Sequence, residues 1–392
     1  MTTATKPKAS ATTVTIPKAE LKSALAAVGR AVGGKTARPI LQNVRIGNGV
    51  ISGTDLEVRV DRAIAEVCDP FLVPYKRLAA IVKEATGDKV TLKVSGTSVK
   101  IKCGGGEWML PTEDVSEYPT WEPSDLDSVC RLPADQFARA AGATTYATDT
   151  ESSRYALGAV LLEVHGGNPT WVATDGRRLS CVETETDQAV DDRKVLVPSR
   201  VIDLVLGLFT KKKKKEEADD NNDDIAKDGD INPDFAAVQV ETNSRDVVFS
   251  VAGTTVTGRV IEGRFPPWRD VLGEPVGEPS VLNVQQLLAA VRSAAIVTSE
   301  QSKGIGLAWA GDKLTLSARS AEYGESTVRC PVTQAGTTSG TKLDPRFVVD
   351  FLRSIPPDEE PQVDVYATDP QSRVLFRCGP YTGVIMPLAA DA

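Results

Sequence analysis

One helix-and-strands pattern recurs three times along this 392-residue chain, and no other feature constrains the fold as strongly. A helical pattern opens after Ile16-Pro17, with Leu21, Leu25, Val28 and Val32 on one face. A second opens after Leu132-Pro133, carrying Phe137, Ala140 and Ala141, and a third after Leu282-Asn283, carrying Leu287, Leu288, Val291 and Ala295. Apolar residues at these intervals form a single buried stripe. Proline suits the first turn of a helix, where its missing amide has no intrahelical partner to lose. Each helix leads into strands that end in a small-polar turn: Ser52-Gly53-Thr54-Asp55, Val172-Ala173-Thr174-Asp175 and Ser317-Ala318-Arg319-Ser320. A second helix follows each time, over 74–85, 198–209 and 345–354, and then alternating strands such as Val90 to Val94 and Val363 to Tyr366. Tyr118-Pro119 and Phe265-Pro266 close the first two repeats.

The spacing fits true repetition. Asp55 lies 120 residues before Asp175, and Asp175 lies 145 before Ser320. The excess sits in residues 210–235, a 26-residue tract whose removal restores an interval of 119. There Lys211 to Lys215 precede a run of Glu, Asp and Asn that cannot bury a core. A solvated, flexible insertion is expected, with contact between the lysines and DNA as the alternative. The fold class is therefore α+β, with three similar domains at 13–127, 128–278 and 279–392 after a polar lead-in at 1–12. Each domain holds two helix-plus-strands halves.

Composition excludes several functional classes. No stretch approaches the roughly 18 apolar residues of a membrane-spanning helix, and the N-terminus lacks the apolar core of a secretory signal. A cytoplasmic location without a membrane partner is expected. The six cysteines are scattered with no C-x-x-C pair, and the one histidine, His165, precedes two glycines and reads as a turn residue. Metal and nucleophile–base chemistry usually draws on histidine, so no catalytic residue, metal or cofactor is expected.

The charge is unevenly distributed. The chain carries a net charge of −8, yet the six helix windows hold eleven basic and five acidic residues, leaving −14 on the remainder. A basic residue follows the opening proline closely in all three second helices: Lys76 and Arg77, Arg200, and Arg346. One such helix would be an ordinary solvated face. Six related helices sharing the bias point to a common surface facing a polyanion, neutralising phosphates without reading bases.

These features, taken in order, resemble the bacterial sliding clamp, the beta subunit of DNA polymerase III. The similarity runs from about Val14 to Leu388 and is carried by Arg38-Pro-Ile-Leu-Gln-Asn43, Gly53-Thr-Asp-Leu-Glu57, Ala173-Thr-Asp-Gly-Arg-Arg-Leu179, Val197-Pro198, Glu262-Gly-Arg-Phe-Pro266 and Val384-Ile-Met-Pro387. The resemblance implies a head-to-tail homodimeric ring around double-stranded DNA, with helices lining the hole and sheets outside. It implies processivity for the replicative DNA polymerase, and docking of that polymerase, the clamp loader and other proteins bearing the clamp-binding motif. Carried over by position, the dimer contact joins Trp108 and Leu110 to Ile296 and Val297. The partner-peptide pocket becomes Leu157, Thr174, Gly176, Arg177, Arg178, Leu179, Pro266, Val271, Phe347, Val384, Met386, Pro387 and Leu388. The DNA contacts become Lys35, Lys76, Arg77, Arg154 and Tyr155. The chain departs from the family at Arg177 (commonly histidine), Asp270 (often basic), Ala156 (a second tyrosine) and the tail beyond Leu388.

Two other functions compete. Residues 29–36, Gly-Arg-Ala-Val-Gly-Gly-Lys-Thr, satisfy the G-x-x-x-x-G-K-[ST] pattern of a phosphate-binding loop. Such a loop follows a strand and opens a helix, whereas here a helix precedes it and Pro39 disfavours helix at Arg38. The second competitor is a monomeric peptide-binding scaffold, against which the apolar Trp108 and Leu110 argue.

Overall fold

The computed structural model describes residues 12–34, 36–149, 155–186, 191–209, 236–299, 303–357 and 361–389. The 210–235 insertion, Lys35, Arg154 and nearly all of the lead-in lie outside the described residues.

Among the described residues all six expected helices form: α1 (Lys18–Val28), α2 (Tyr75–Glu84), α3 (Ala134–Thr145), α4 (Ser199–Phe209), α6 (Val284–Ala294) and α7 (Pro345–Ser354). A short seventh, α5 (Trp268–Leu272), was not expected. Proline acts differently from the sequence expectation. Pro17, Pro74 and Pro133 stand one residue outside their helices, at the cap, with ψ of 132°, 111° and 142°. Their restricted φ ends the preceding strand while leaving ψ extended. Among the described α-helices only α7 has proline in its first turn, Pro345 behind Asp344, whose side chain accepts from the Arg346 amide; Asn283 caps α6 in the same way through the Gln286 amide.

α1 buries Leu21, Leu25 and Val28 but stops before Val32. Gly29 lies against the Tyr75 ring so closely that any Cβ would overlap it, and this packing joins the end of α1 to the start of α2.

The chain divides into two compact units, residues 12–127 with Gln239–Arg259, and Ser128–Val238 with Val260–Ala392. The first unit holds a four-stranded antiparallel sheet ordered Thr13–Pro17, Lys89–Ser95, Ser98–Cys103 and Gly106–Pro111. Its strands Phe71–Pro74, Asn43–Gly47, Val50–Thr54, Val58–Ala63, Thr254–Arg259 and Asp246–Val251 lie in that order within a second, eight-stranded sheet, which continues through Ala237–Thr242 and Asp127–Pro133. The second unit contains an eight-stranded antiparallel sheet: Arg193–Pro198, Ala159–His165, Asn168–Thr174, Arg178–Glu183, Tyr381–Ile385, Val374–Cys378, Gln362–Tyr366 and Ser280–Asn283. A four-stranded sheet completes it: Gly324–Pro331, Lys313–Ser320, Ile305–Ala310 and Thr341–Leu343. Helices pack in pairs, α1 on α2, α3 on α4 and α6 on α7.

The turn recurs atom by atom in the first two of its three copies, whereas Ser317 to Ser320 all lie within the strand Lys313–Ser320. Thr54 Oγ1 donates to the Val58 carbonyl at 2.7 Å, and Thr174 Oγ1 donates to the Arg178 carbonyl at 2.7 Å. Each hydroxyl also accepts an amide two residues on, from Leu56 and Gly176, both at φ 86°. Asp55 and Asp175 accept the amides of Val58 and Arg178 at 3.1 and 3.0 Å. Short polar side chains that satisfy their own backbone in this way make such turns.

Candidate functional site

Most of the sequence-assigned pocket residues converge on one end of the eight-stranded sheet. Leu179 and Val384 are direct cross-strand partners, exposed by 2% and 1%. They belong to a cluster with Ala159, Leu161, Val172, Cys181, Leu196, Trp268 and Leu375, against which Phe265 and Leu272 pack. Around this floor lie more open groups. The Met386 amide donates to the Arg177 carbonyl at 2.9 Å and the Leu388 amide to the Lys342 carbonyl at 2.8 Å, which fixes the final strand and the segment beyond it. Met386 is exposed by 42% and Val271, on α5, by 39%, while Pro266, Phe347, Pro387 and Leu388 are half-buried. Leu157 is buried on the turn Tyr155–Gly158, and Thr174 is buried within the repeated turn. Gly176 and Arg177 are exposed at its tip. Apolar floor, exposed aliphatic edges and a few polar groups are the ingredients of a cleft for a small hydrophobic anchor.

Arg178 is turned inward. Its guanidinium pairs with Asp175 at 3.0 Å and with Asp350 of α7 at 2.5 Å, and donates to the Tyr146 carbonyl at the end of α3. The same group stacks over the rings of Phe347 and Tyr146, 4.5 and 5.2 Å from their centroids. Arg178 therefore holds Phe347 in place, and only its forked, planar cation could serve all these partners at once. Burial pushes the Tyr146 hydroxyl up to about 12, so the ring stays neutral beside it.

Sequence reasoning missed α5 and what holds it. Glu163, buried within the strand Ala159–His165, accepts from Trp268 Nε1 at 3.0 Å and Arg269 at 2.7 Å, and pairs with Lys194 at 2.8 Å. Burial alone would raise its pKa, but hydrogen bonds from Lys194, Trp268 and Arg269 outweigh that and hold the carboxyl below its usual range. The available signal was a tryptophan directly after Phe265-Pro266-Pro267.

The proposed phosphate contacts among the described residues lie on three helices and one turn. Lys76 and Arg77 are exposed on the first turn of α2, and Arg200 is exposed on the first turn of α4. Arg346 forks onto Asp344 at 2.7 Å, so part of its charge is already neutralised within its own helix cap. Tyr155 opens the turn Tyr155–Gly158.

Two of the sheets' edge strands carry or adjoin apolar groups. Gly106–Pro111 pairs on one side only, with Ser98–Cys103. Trp108 and Leu110 stand opposite the fully buried Ile101 and Val99, so they extend the core layer to the sheet edge, where they are half-buried. The second of these edge strands is Gly324–Pro331, beside the turn Ala295–Val297, on which Ile296 is 77% exposed.

The phosphate-loop pattern sits at the end of a helix. α1 precedes it, and the short 3-10 turn Pro39–Gln42 and the strand Asn43–Gly47 follow it, so the loop does not lead from a strand into an α-helix. Among the described residues no group of three or more His, Cys, Asp or Glu is placed to hold a metal ion. No described helix is long and apolar enough to cross a membrane.

Comparison with known proteins gives a consistent result. Residues 12–122 match the family model for the DNA polymerase III beta subunit, N-terminal domain, and residues 131–218 match that for its central domain, together just over half of the chain. The Beta sliding clamp of Escherichia coli K12 is 25% identical over 352 residues, covering 87% of this chain and 90% of that protein. The Beta sliding clamp of Pseudomonas putida KT2440 is 26% identical over 373 residues, covering 93% and 95%. In fold, the DNA polymerase sliding clamp of Bacillus subtilis superposes with a TM-score of 0.85 at 18% identity, covering 97% of this chain and all of that one.

Proposed function

The chain belongs to the DNA polymerase III beta subunit family, and from that premise we propose that two copies close head to tail into a ring that encircles duplex DNA as a sliding clamp. The correspondence with a DNA polymerase sliding clamp along the whole of that chain carries this reading. The ring tethers the replicative polymerase to its template and has no catalytic residues of its own. It works without metal or cofactor, in the cytoplasm. The three sequence repeats are its domains, 13–127, 128–278 and 279–392.

These two edge strands support closure. Pairing Gly106–Pro111 of one copy with Gly324–Pro331 of the other would satisfy both rows of unpaired backbone groups. It would also bring Trp108 and Leu110 toward Ile296 and Val297. Repetition of the same contact at the opposite junction closes the ring. The basic bias of the helices supports a DNA-facing inner surface, with Lys35, Lys76, Arg77, Arg154, Tyr155 and Arg200 as phosphate contacts and Arg346 as a weaker one. The apolar cleft around Leu179 and Val384 receives the anchor of a partner peptide, from the polymerase, the clamp loader or a repair protein.

The cheapest test is solution mass. Sedimentation should give a species of two chains of 41.8 kDa each; a folded monomer at micromolar concentration would favour the peptide-binding scaffold instead. Purified protein should also hydrolyse no ATP, with or without DNA. Turnover that disappears in Lys35→Ala would revive the phosphate-loop reading.

A further inference from the structure

A buried carboxylate holds the short helix α5 against the sheet. Glu163 is only 4% exposed, in a strand whose residues from Ala159 to Val164 are all buried. A carboxylate in such a place is expensive unless donors surround it, and here they come from two elements. Lys194 is its direct cross-strand partner on Arg193–Pro198, and Trp268 and Arg269 are the first two residues of α5. A helix of five residues has no stability of its own. Its place depends on tertiary contacts: the Glu163 bonds, the burial of the Trp268 ring beside Leu179 and Val384, and the bond from Arg373 to the Glu274 carbonyl just beyond it. The Arg269 guanidinium, paired with Glu163, also covers the Trp268 ring at 4.2 Å. Val271, one of the exposed aliphatic groups of the cleft, is carried on this same short helix.

We propose that Glu163 is a positioning residue for peptide binding: it touches no peptide itself but docks α5 so that Val271 and the Trp268 ring complete the apolar cleft. This rests on reading the cleft as a peptide site. The role needs an acceptor for an indole N–H and a guanidinium at one point: Oε2 of the carboxylate accepts both, while Oε1 pairs with Lys194. The amide of glutamine keeps one acceptor and loses the charge; alanine keeps neither.

The test is fluorescence anisotropy of a labelled short peptide containing one glutamine and a leucine anchor, titrated with full-length protein. Glu163→Ala should weaken binding by about tenfold. Glu163→Gln should recover part of that loss, and Trp268→Phe, which keeps the ring but not the donor, should fall between wild type and Glu163→Ala. Sedimentation should give the wild-type dimer mass throughout. Wild-type affinity in Glu163→Ala overturns the proposal. So does an equal loss in the Gln and Ala variants accompanied by a lower melting temperature, since that is what a purely structural carboxylate would give. A wild-type protein that binds no such peptide fails at the earlier step, the assignment of the cleft, and removes this proposal with it.

Discussion

A ring of this protein loaded on a closed circular duplex should stay bound when the salt is raised and leave when the circle is cut. The reason is a contrast between two ways of holding DNA. Phosphate contacts release counterions, so affinity falls with log salt at a slope of about −0.9 per contact on duplex DNA. An enclosed duplex has no such dependence, because it cannot leave without a free end or an opened ring. The basic surface here is modest: eleven basic against five acidic residues across the six helix windows, in a chain of net charge −8. Direct, unloaded binding should therefore be weak and salt-sensitive. Removing Lys35, Lys76 and Arg77 together should lower that slope by up to about 3, while leaving retention on circles intact once the ring is loaded. The measurement is gel filtration of protein–DNA complexes at rising salt, before and after a single restriction cut. Equal retention on circles and on linear DNA with free ends would sink the ring mechanism, whatever the chain is similar to.

Replacing Trp108 and Ile296 together by alanine should convert the dimer to folded monomers. Ile296 is 77% exposed in the single chain, so its removal takes almost nothing from the fold, whereas in the proposed ring it meets the edge strand of the other copy. Trp108 is half-buried at a sheet edge and covers Gly106, so its loss weakens the strand as well as the contact. Truncating a large apolar side chain that is buried in the assembled state costs about 2–5 kcal/mol. Every 1.4 kcal/mol is about a tenfold change in affinity, and both junctions of a two-fold ring carry the defect. Sedimentation of the wild type, the two single variants and the double variant should show graded loss of dimer, with Ile296→Ala melting like wild type. If the double variant dimerises as tightly as the wild type, the contact lies elsewhere on the chain.

The sequence alone determined the local features of this fold. Helix positions follow from apolar spacing and from the prolines and capping residues at 17, 74, 133, 283 and 344. Strand ends follow from the polar turns, because a threonine or aspartate that satisfies its own backbone needs no distant partner. The repeat and the charge bias of its helices were legible for the same reason, since spacing and sign survive without knowing which elements touch. Tertiary structure decided the rest. Helix α5 has too few residues to show a period, and the contacts that dock it, among them Glu163 about a hundred residues earlier in the chain, are tertiary. The family resemblance puts Arg178 in the wall of the peptide pocket, but only the fold shows that Asp350 and the Tyr146 carbonyl draw its guanidinium inward. Arg346 reads as a free phosphate contact, yet its own helix cap engages it. A side chain's charge can be read from sequence, but its availability depends on the distance and burial of partners far along the chain, which only the folded backbone brings together.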